Sequence, residues 1–210
     1  MAHLRDASAR PRARRAVADR ALAAAALVGV LALAGCSQSS GVTNEGSDVT
    51  GQGYVSGDGS VKTWAPDDRS DPVTVTGTDF AGDPVDTSDH QGTVVLLNTW
   101  YAGCAPCRAE APTLVALAEE HPDDVQIIGI NGVDDAGAAQ AFERTFSVPY
   151  PSIADTTGAA VATLQGTVPL QAVPTTVVLD QQGRVAARVI GEAEASTLDA
   201  IVGDVLAEDA

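Results

Sequence analysis

The chain is poor in the residues that build large interaction surfaces and many active sites. Aromatic residues are 4% of its 210 positions, and it holds only three histidines and three cysteines. Positive charge is scarce: 12 arginines and lysines stand against 28 aspartates and glutamates. Six of those arginines and two of the acids lie in the first 35 residues, so residues 36–210 carry 6 bases against 26 acids. Such a surface repels phosphate backbones and excludes nucleic acid as a natural partner, while also keeping the protein soluble. No phosphate-binding loop, serine triad or basic stripe is present. The one long apolar run, Ala21 to Ala34, is too short to span a bilayer comfortably.

That run identifies the N-terminus. Arg5, Arg10, Arg12, Arg14, Arg15 and Arg20 precede it, which makes residues 1–35 a signal peptide. Ala16-Val17-Ala18 lacks the consensus expected around a twin-arginine pair, so the general secretory route is expected. The run ends in Leu33-Ala34-Gly35-Cys36, which resembles the bacterial lipobox. The resemblance implies cleavage before Cys36, its lipidation, and anchoring on the extracytoplasmic face of the cell membrane. It also accounts for the odd cysteine. Residues 37–71 are rich in Ser, Gly, Thr and Asp with little apolar clustering, so residues 36–71 read as a lipidated cysteine and a flexible tether spanning roughly 30 Å. Trp64 is its one large apolar residue, and no chemistry is assigned to it. Residues 72–210 are long enough for one domain with a real core.

Within that domain, Val73 to Phe80 alternates as a strand, and Gly82-Asp83-Pro84 turns the chain before Val85. Val94 to Trp100 is apolar almost throughout, as expected of a strand covered on both faces. A helix is predicted over residues 105–120 with Ala109, Leu114, Leu117 and Ala118 inward, then a second buried strand from Val125 to Ile130. Strand, helix, strand implies a right-handed crossover and parallel pairing. A helix over 136–146, a short strand over 150–153 and a short helix over 159–164 follow. Thr175–Leu179 and Arg184–Ile190 flank a tight turn and must be antiparallel, and residues 194–206 form an amphipathic helix with Leu198, Ile201, Val202 and Val205 inward. Asp134 and Asp135 are expected to begin the 136–146 helix. His90 in a turn and His121 at a helix end read as surface residues.

The remaining two cysteines lie where the buried strand passes into the first helix, in Trp100-Tyr101-Ala102-Gly103-Cys104-Ala105-Pro106-Cys107. Unpaired N–H groups and partial positive charge at a helix start favour thiolate over thiol, so the pair is a redox site in outline. Cys104 at the helix end is expected to be exposed and nucleophilic, with Cys107 as the inner, resolving thiol. Pro106 fits the first turn of a helix, where a missing N–H costs nothing. Glu110 follows Cys107 by three residues and shares its side of the helix.

These motifs, with Val95-Leu96-Leu97-Asn98-Thr99-Trp100 upstream and Val173-Pro174-Thr175-Thr176 downstream, resemble the thioredoxin superfamily. Within it they are similar to the membrane-tethered TlpA/ResA-like thiol-disulfide oxidoreductases. The resemblance implies an α/β fold of three layers: a central mixed β-sheet flanked by helices, with an extra N-terminal strand or hairpin. It implies catalysis by Cys104 and Cys107 with a redox-active disulfide in place of a cofactor and no metal site. It gives proton handling to Glu110, a cis-proline opposite the cysteines to Pro174, and a kink to Pro112. Trp100, Tyr101, Gly103, Ala105, Pro106 and Val173 become the substrate-binding surface. Asn98 takes the place of the buried acid of cytoplasmic thioredoxins, so another carboxylate has to serve. The implied partners are protein thiols and disulfides, apocytochrome c among them, with a membrane thiol reductase as electron donor. The family usually has tryptophan before the first cysteine; Gly103 here reduces that aromatic surface. A copper-delivering lipoprotein on the same fold is the alternative. Such proteins space their cysteines more widely and add a downstream histidine, and only His121 follows this pair.

Overall fold

The computed structural model describes residues 60–166 and 172–208. The signal peptide, Cys36 and most of the expected tether lie outside the described residues. Among the described residues there are eight strands: β1 (Val61–Thr63), β2 (Thr76–Thr78), β3 (Pro84–Asp86), β4 (Val94–Thr99), β5 (Val125–Asn131), β6 (Ser152–Ala154), β7 (Thr175–Leu179) and β8 (Val185–Ile190). Four helices join them: α1 (Ala105–Glu120), α2 (Ala136–Phe146), α3 (Ala159–Ala162) and α4 (Ala195–Ala207). Six strands make one mixed sheet in the order β1-β8-β7-β4-β5-β6, and β2 and β3 form a separate antiparallel hairpin.

β4 organises the sheet because it is buried at every position. Alternation sends successive side chains to opposite faces. Val94 and Leu96 join a core with Leu114 and Leu117 of α1 and Leu198, Ile201, Val202 and Val205 of α4. Val95 and Leu97 join a second core with Val75, Val85, Ala160 and Leu164. By the same period Asn98 and Trp100 face α1. β5 runs parallel to β4 with Val94 opposite Val125, and β7 runs antiparallel on the other side with Thr99 opposite Thr175. The end of β4 that leads into α1 therefore lies beside the start of β7.

Two expectations need correction. First, the fold begins before residue 72. β1 pairs antiparallel with β8, Val61 opposite Val189, and the Trp64 N–H donates to the Ala186 carbonyl at 2.8 Å. Trp64 packs on the second core with Lys62 Nζ 4.3 Å above its ring. Polar composition concealed this, because one edge strand needs few apolar side chains. The guanidinium of Arg69, 2% exposed, then donates to Asp180 at 3.0 Å and to both carboxylate oxygens of Glu208 at 2.6 and 2.7 Å. Asp180, 1% exposed, also accepts from Arg184 Nε at 2.9 Å, so the clamp joins the entering chain, the β7–β8 turn and the end of α4. Second, Ala109 is exposed; the buried face of α1 is Cys107, Glu110, Ala111, Leu114 and Leu117.

The chain enters at a telling place. The Ser60 carbonyl accepts from Ile190 N–H at 2.8 Å, and Ile190 lies opposite Thr175. Ser60 thus lies at the end of the sheet where β4 leads into α1.

Removing one member of a buried, hydrogen-bonded ion network leaves its partners desolvated and unpaired. Arg69→Ala is expected to lower unfolding free energy by about 2–4 kcal/mol, read as a lower urea midpoint at unchanged slope. A midpoint equal to that of the unsubstituted protein would mean that residues 60–71 are not an integral part of the fold.

Candidate active site

Cys104 is the N-cap of α1, and its Sγ accepts the Cys107 N–H at 3.1 Å. The two cysteines form a disulfide with Cα atoms 5.2 Å apart. The Cys104 N–H donates to the Tyr101 carbonyl at 3.1 Å, which closes the loop from β4 into the helix. Ala105 and Pro106 occupy the exposed first turn, and α1 continues through Pro112 to Glu120. Cys104 is not exposed as expected: it is 3% accessible and Cys107 2%. As a disulfide, both sulfurs belong to an apolar cluster with Trp100, Ala111, Ala139 and Phe142.

Trp100 also differs from expectation. It is 5% exposed, its ring lies 4.4 Å from that of Phe142, and its Nε1–H donates to Ser152 Oγ at 3.3 Å. It forms the floor of the site and offers little surface to a partner. Gly129 makes this possible, since a Cβ there would run into Ser152 Oγ and come within 2.6 Å of Trp100 Nε1. Between these groups and Cys107 lies a cavity of about 10 Å³ lined by Asn98, Trp100, Leu114, Phe142, Tyr150 and Ser152, about the size of one water. Burial, with the neighbouring Glu110 and Glu143 carboxylates, pushes the Tyr150 phenol up.

The peptide bond between Val173 and Pro174 is cis. The Pro174 carbonyl accepts from Gly191 N–H at 2.9 Å, and the next residue, Thr175, donates its N–H to Thr99 Oγ1 at 2.9 Å. These bonds hold the proline beside the end of β4. Val173 is 37% exposed and Val133, in the β5–α2 turn, 69%; they are the exposed large hydrophobics among the described residues. Tyr101 is half-buried and Gly103 exposed, and a Cβ at Gly103 would meet only the Tyr101 ring at 3.6–3.7 Å. The backbone therefore leaves room for a side chain there.

Glu110, one turn along α1 from Cys107, is 1% exposed. Its Oε1 accepts from Asn98 Nδ2 at 2.8 Å and its Oε2 from Ala193 N–H at 2.9 Å. Asn98 Nδ2 also donates to Thr176 Oγ1 at 3.1 Å. Burial penalises the charged carboxylate more than these two donors favour it, and Glu192 adds repulsion, so its pKa is pushed up to about 7. Such a group is able to exchange a proton near neutral pH. His121 caps the far end of α1, roughly 20 Å along the helix from Cys107, so it cannot share a ligand set with the pair.

Asp134 has a place that its helix-start reading did not anticipate. Asp135 is the cap of α2 and accepts from Ala138 N–H at 2.9 Å. Asp134 instead reaches back, and its Oδ2 accepts from Ala102 N–H at 2.6 Å and from Asn131 Nδ2 at 2.8 Å. No local sequence pattern reports a bond across 32 positions.

A mixed sheet with a disulfide at the N-terminus of the crossover helix, and a cis-proline beside the strand end that leads into it, is a thioredoxin-like arrangement. The chain belongs to the Redoxin family, whose model matches residues 64–202. It is similar to the thiol:disulfide interchange protein HelX of Rhodobacter capsulatus, 33% identical over 106 residues, covering 50% of this chain and 57% of the relative. It is also similar to the thiol-disulfide oxidoreductase ResA of Bacillus cereus, 28% identical over 116 residues, covering 55% and 65%. The match thus spans well under the full length of these relatives. Among solved structures, a DsbF homologue from Corynebacterium diphtheriae superposes with a TM-score of 0.63 at 31% identity, covering 73% of this chain and 98% of that one. A secreted thiol-disulfide isomerase from Corynebacterium glutamicum gives 0.64 at 30% identity, covering 76% and 100%.

The raised pKa of Glu110 has a consequence for stability. The folded state holds this proton more tightly than the unfolded chain, so the stability it contributes is fully present below about pH 4.5 and is lost as pH rises through about 7. Glu110→Gln, which sets an NH2 against one of the two donors and so starts from a lower stability, has no proton to lose and should narrow or reverse its deficit by up to about 2–3 kcal/mol as pH rises between those limits. Urea unfolding across that range checks this, and parallel pH profiles would contradict it.

Proposed function

We propose that the protein is an extracytoplasmic thiol-disulfide oxidoreductase that reduces disulfides in partner proteins, with apocytochrome c before haem attachment as a substrate. The observation that carries this reading is the Cys104–Cys107 disulfide at the helix N-terminus, with the cis Val173–Pro174 bond held beside the strand end that leads into that helix. In the dithiol form, the Cys104 thiolate attacks a partner disulfide. One partner sulfur leaves as thiolate and the other stays bonded to Cys104. Cys107 then loses its proton, with Glu110 as acceptor, and its thiolate attacks Cys104 Sγ. The second partner thiolate leaves and the internal disulfide re-forms. Two electrons have passed to the partner, and a membrane thiol reductase restores them.

Protein partners suit a groove in which the exposed Val133 and Val173 line one wall with Thr99 and Trp100. An extended segment is able to lie along the Val173 backbone and present its cysteine to Cys104. Gly103 leaves the surface next to Cys104 small, which favours partners that bring bulk of their own.

The membrane reading rests on the Leu33-Ala34-Gly35-Cys36 motif. Among the described residues no helix is long and apolar enough to cross a membrane. Attachment on this reading is through the lipid on Cys36.

The test is capture in the native cell. Cys107→Ser leaves the first step intact and removes the second, so partners should accumulate as mixed disulfides on Cys104 that reductant releases. Absence of such adducts while Cys104 is reduced and reactive would overturn the reading. Cys36→Ser should move the protein from the membrane fraction to the soluble one.

A further inference from the structure

Cys104 is not alone at the start of α1. Two opposite charges grip the residue two places before it. Asp134 Oδ2 accepts the Ala102 N–H at 2.6 Å, while Arg108 Nη1 donates to the Ala102 carbonyl at 3.3 Å. Asp134 is fixed in turn: Asn131 Nδ2 donates to the same oxygen at 2.8 Å, and Asn131 Oδ1 accepts from the N–H groups of Val133 and Asp134 at 3.0 Å each. Asn131 is fully buried at the end of β5, so this turn is anchored in the sheet. The result is a strut from β5 to the loop that carries the nucleophile.

We propose that Asp134 is a positioning residue for the thiol-disulfide exchange proposed above, holding the 101–104 loop and using its charge to keep the Cys104 thiolate less stable than the helix N-terminus alone would make it. The carboxylate is bonded to the residue two places before Cys104, which puts it on the order of 6–9 Å from Sγ. It is only half-buried, and at that range a like charge opposes thiolate formation modestly. The other charged and titratable groups around the pair are accounted for. Arg108 on α1 favours the thiolate, and its guanidinium is held over the Phe146 ring, 5.0 Å from the centroid. Glu110 lies beneath Cys107 with both oxygens engaged, and Glu192 of the β8–α4 loop acts on Glu110. Asp135 is engaged at the α2 N-terminus, and Glu143 of α2 is bonded to Ser152. Tyr101 stands on the loop itself, and the described cis-proline segment, Ala172, Val173 and Pro174, brings no charge. Asp134 is the carboxylate bonded directly to the loop of the nucleophile.

The consequence is chemical. A thiolate stabilised by the helix end alone would be abundant but a weaker nucleophile, since nucleophilicity falls with pKa. A carboxylate beside the loop returns part of that basicity, which suits a protein that attacks disulfides rather than one that waits to be attacked.

The experiment follows the pH dependence of Cys104 alkylation by iodoacetamide in the reduced full-length protein, with the modified peptide read by mass spectrometry. Asp134→Asn keeps an oxygen able to accept from Ala102 N–H and removes the charge. Its Cys104 midpoint is expected about half to one pH unit lower than in the unsubstituted protein at low salt, and the difference should shrink at about 1 M salt. Asp134→Ser keeps an acceptor in smaller form and is the second variant, with the same expected direction, should the first not fold. A midpoint unchanged or raised in a folded variant would overturn the proposal. The measurement needs no partner protein, so it separates from the exchange reading. A shifted midpoint with no captured partners removes the exchange function and leaves the effect on the thiol, and captured partners with an unshifted midpoint do the reverse.

Discussion

Everything near the disulfide depends on an obligation of helix geometry: the first N–H groups of α1 have no partner within the helix. Cys104 meets part of it by taking the Cys107 N–H on its sulfur. The same unpaired dipoles that need an acceptor stabilise negative charge, so the cap and the sulfur proposed as nucleophile are one atom. What surrounds it keeps that atom in place. β4 delivers the loop from a buried strand, Thr99 fixes the start of β7 and with it Pro174, and Asp134 secures Ala102.

Beneath the cap the balance is between burial and hydrogen bonding. Glu110 accepts two donors, which ordinarily would hold a carboxylate ionised. Burial outweighs them, and its pKa rises to about 7. Asn98 matters to this outcome, because a second carboxylate at that position would sit against the first in a site shut off from water. With an amide there, one acid is left to change protonation under the pair.

The fold was largely legible because its signals are local. β7, α1 and α2 run over the residues that apolar period, cap and proline position indicate, and the inward face of α4 is Leu198, Ile201, Val202 and Val205 as the 3.6 period requires. Apart from the face of α1 at Ala109, the failures share one cause, which is contact across long sequence distances. β1 is three residues in a polar stretch and becomes a strand only because β8 offers an edge. Arg69 is unremarkable until Asp180 and Glu208 close around it. Cys104 loses its exposure to a cluster that includes α2, and Asp134 gains its role from a loop 32 residues earlier. The site's chemistry could be read from a dozen residues; its enclosure could not.

The central claim is that helix position separates two chemically identical thiols into an attacking and a resolving one. Limited alkylation of the reduced protein near neutral pH, followed by mapping of the modified peptide, tests it directly. The account predicts modification at Cys104, with Cys107 largely unmodified. Preferential modification of Cys107, or equal modification of both, would contradict it.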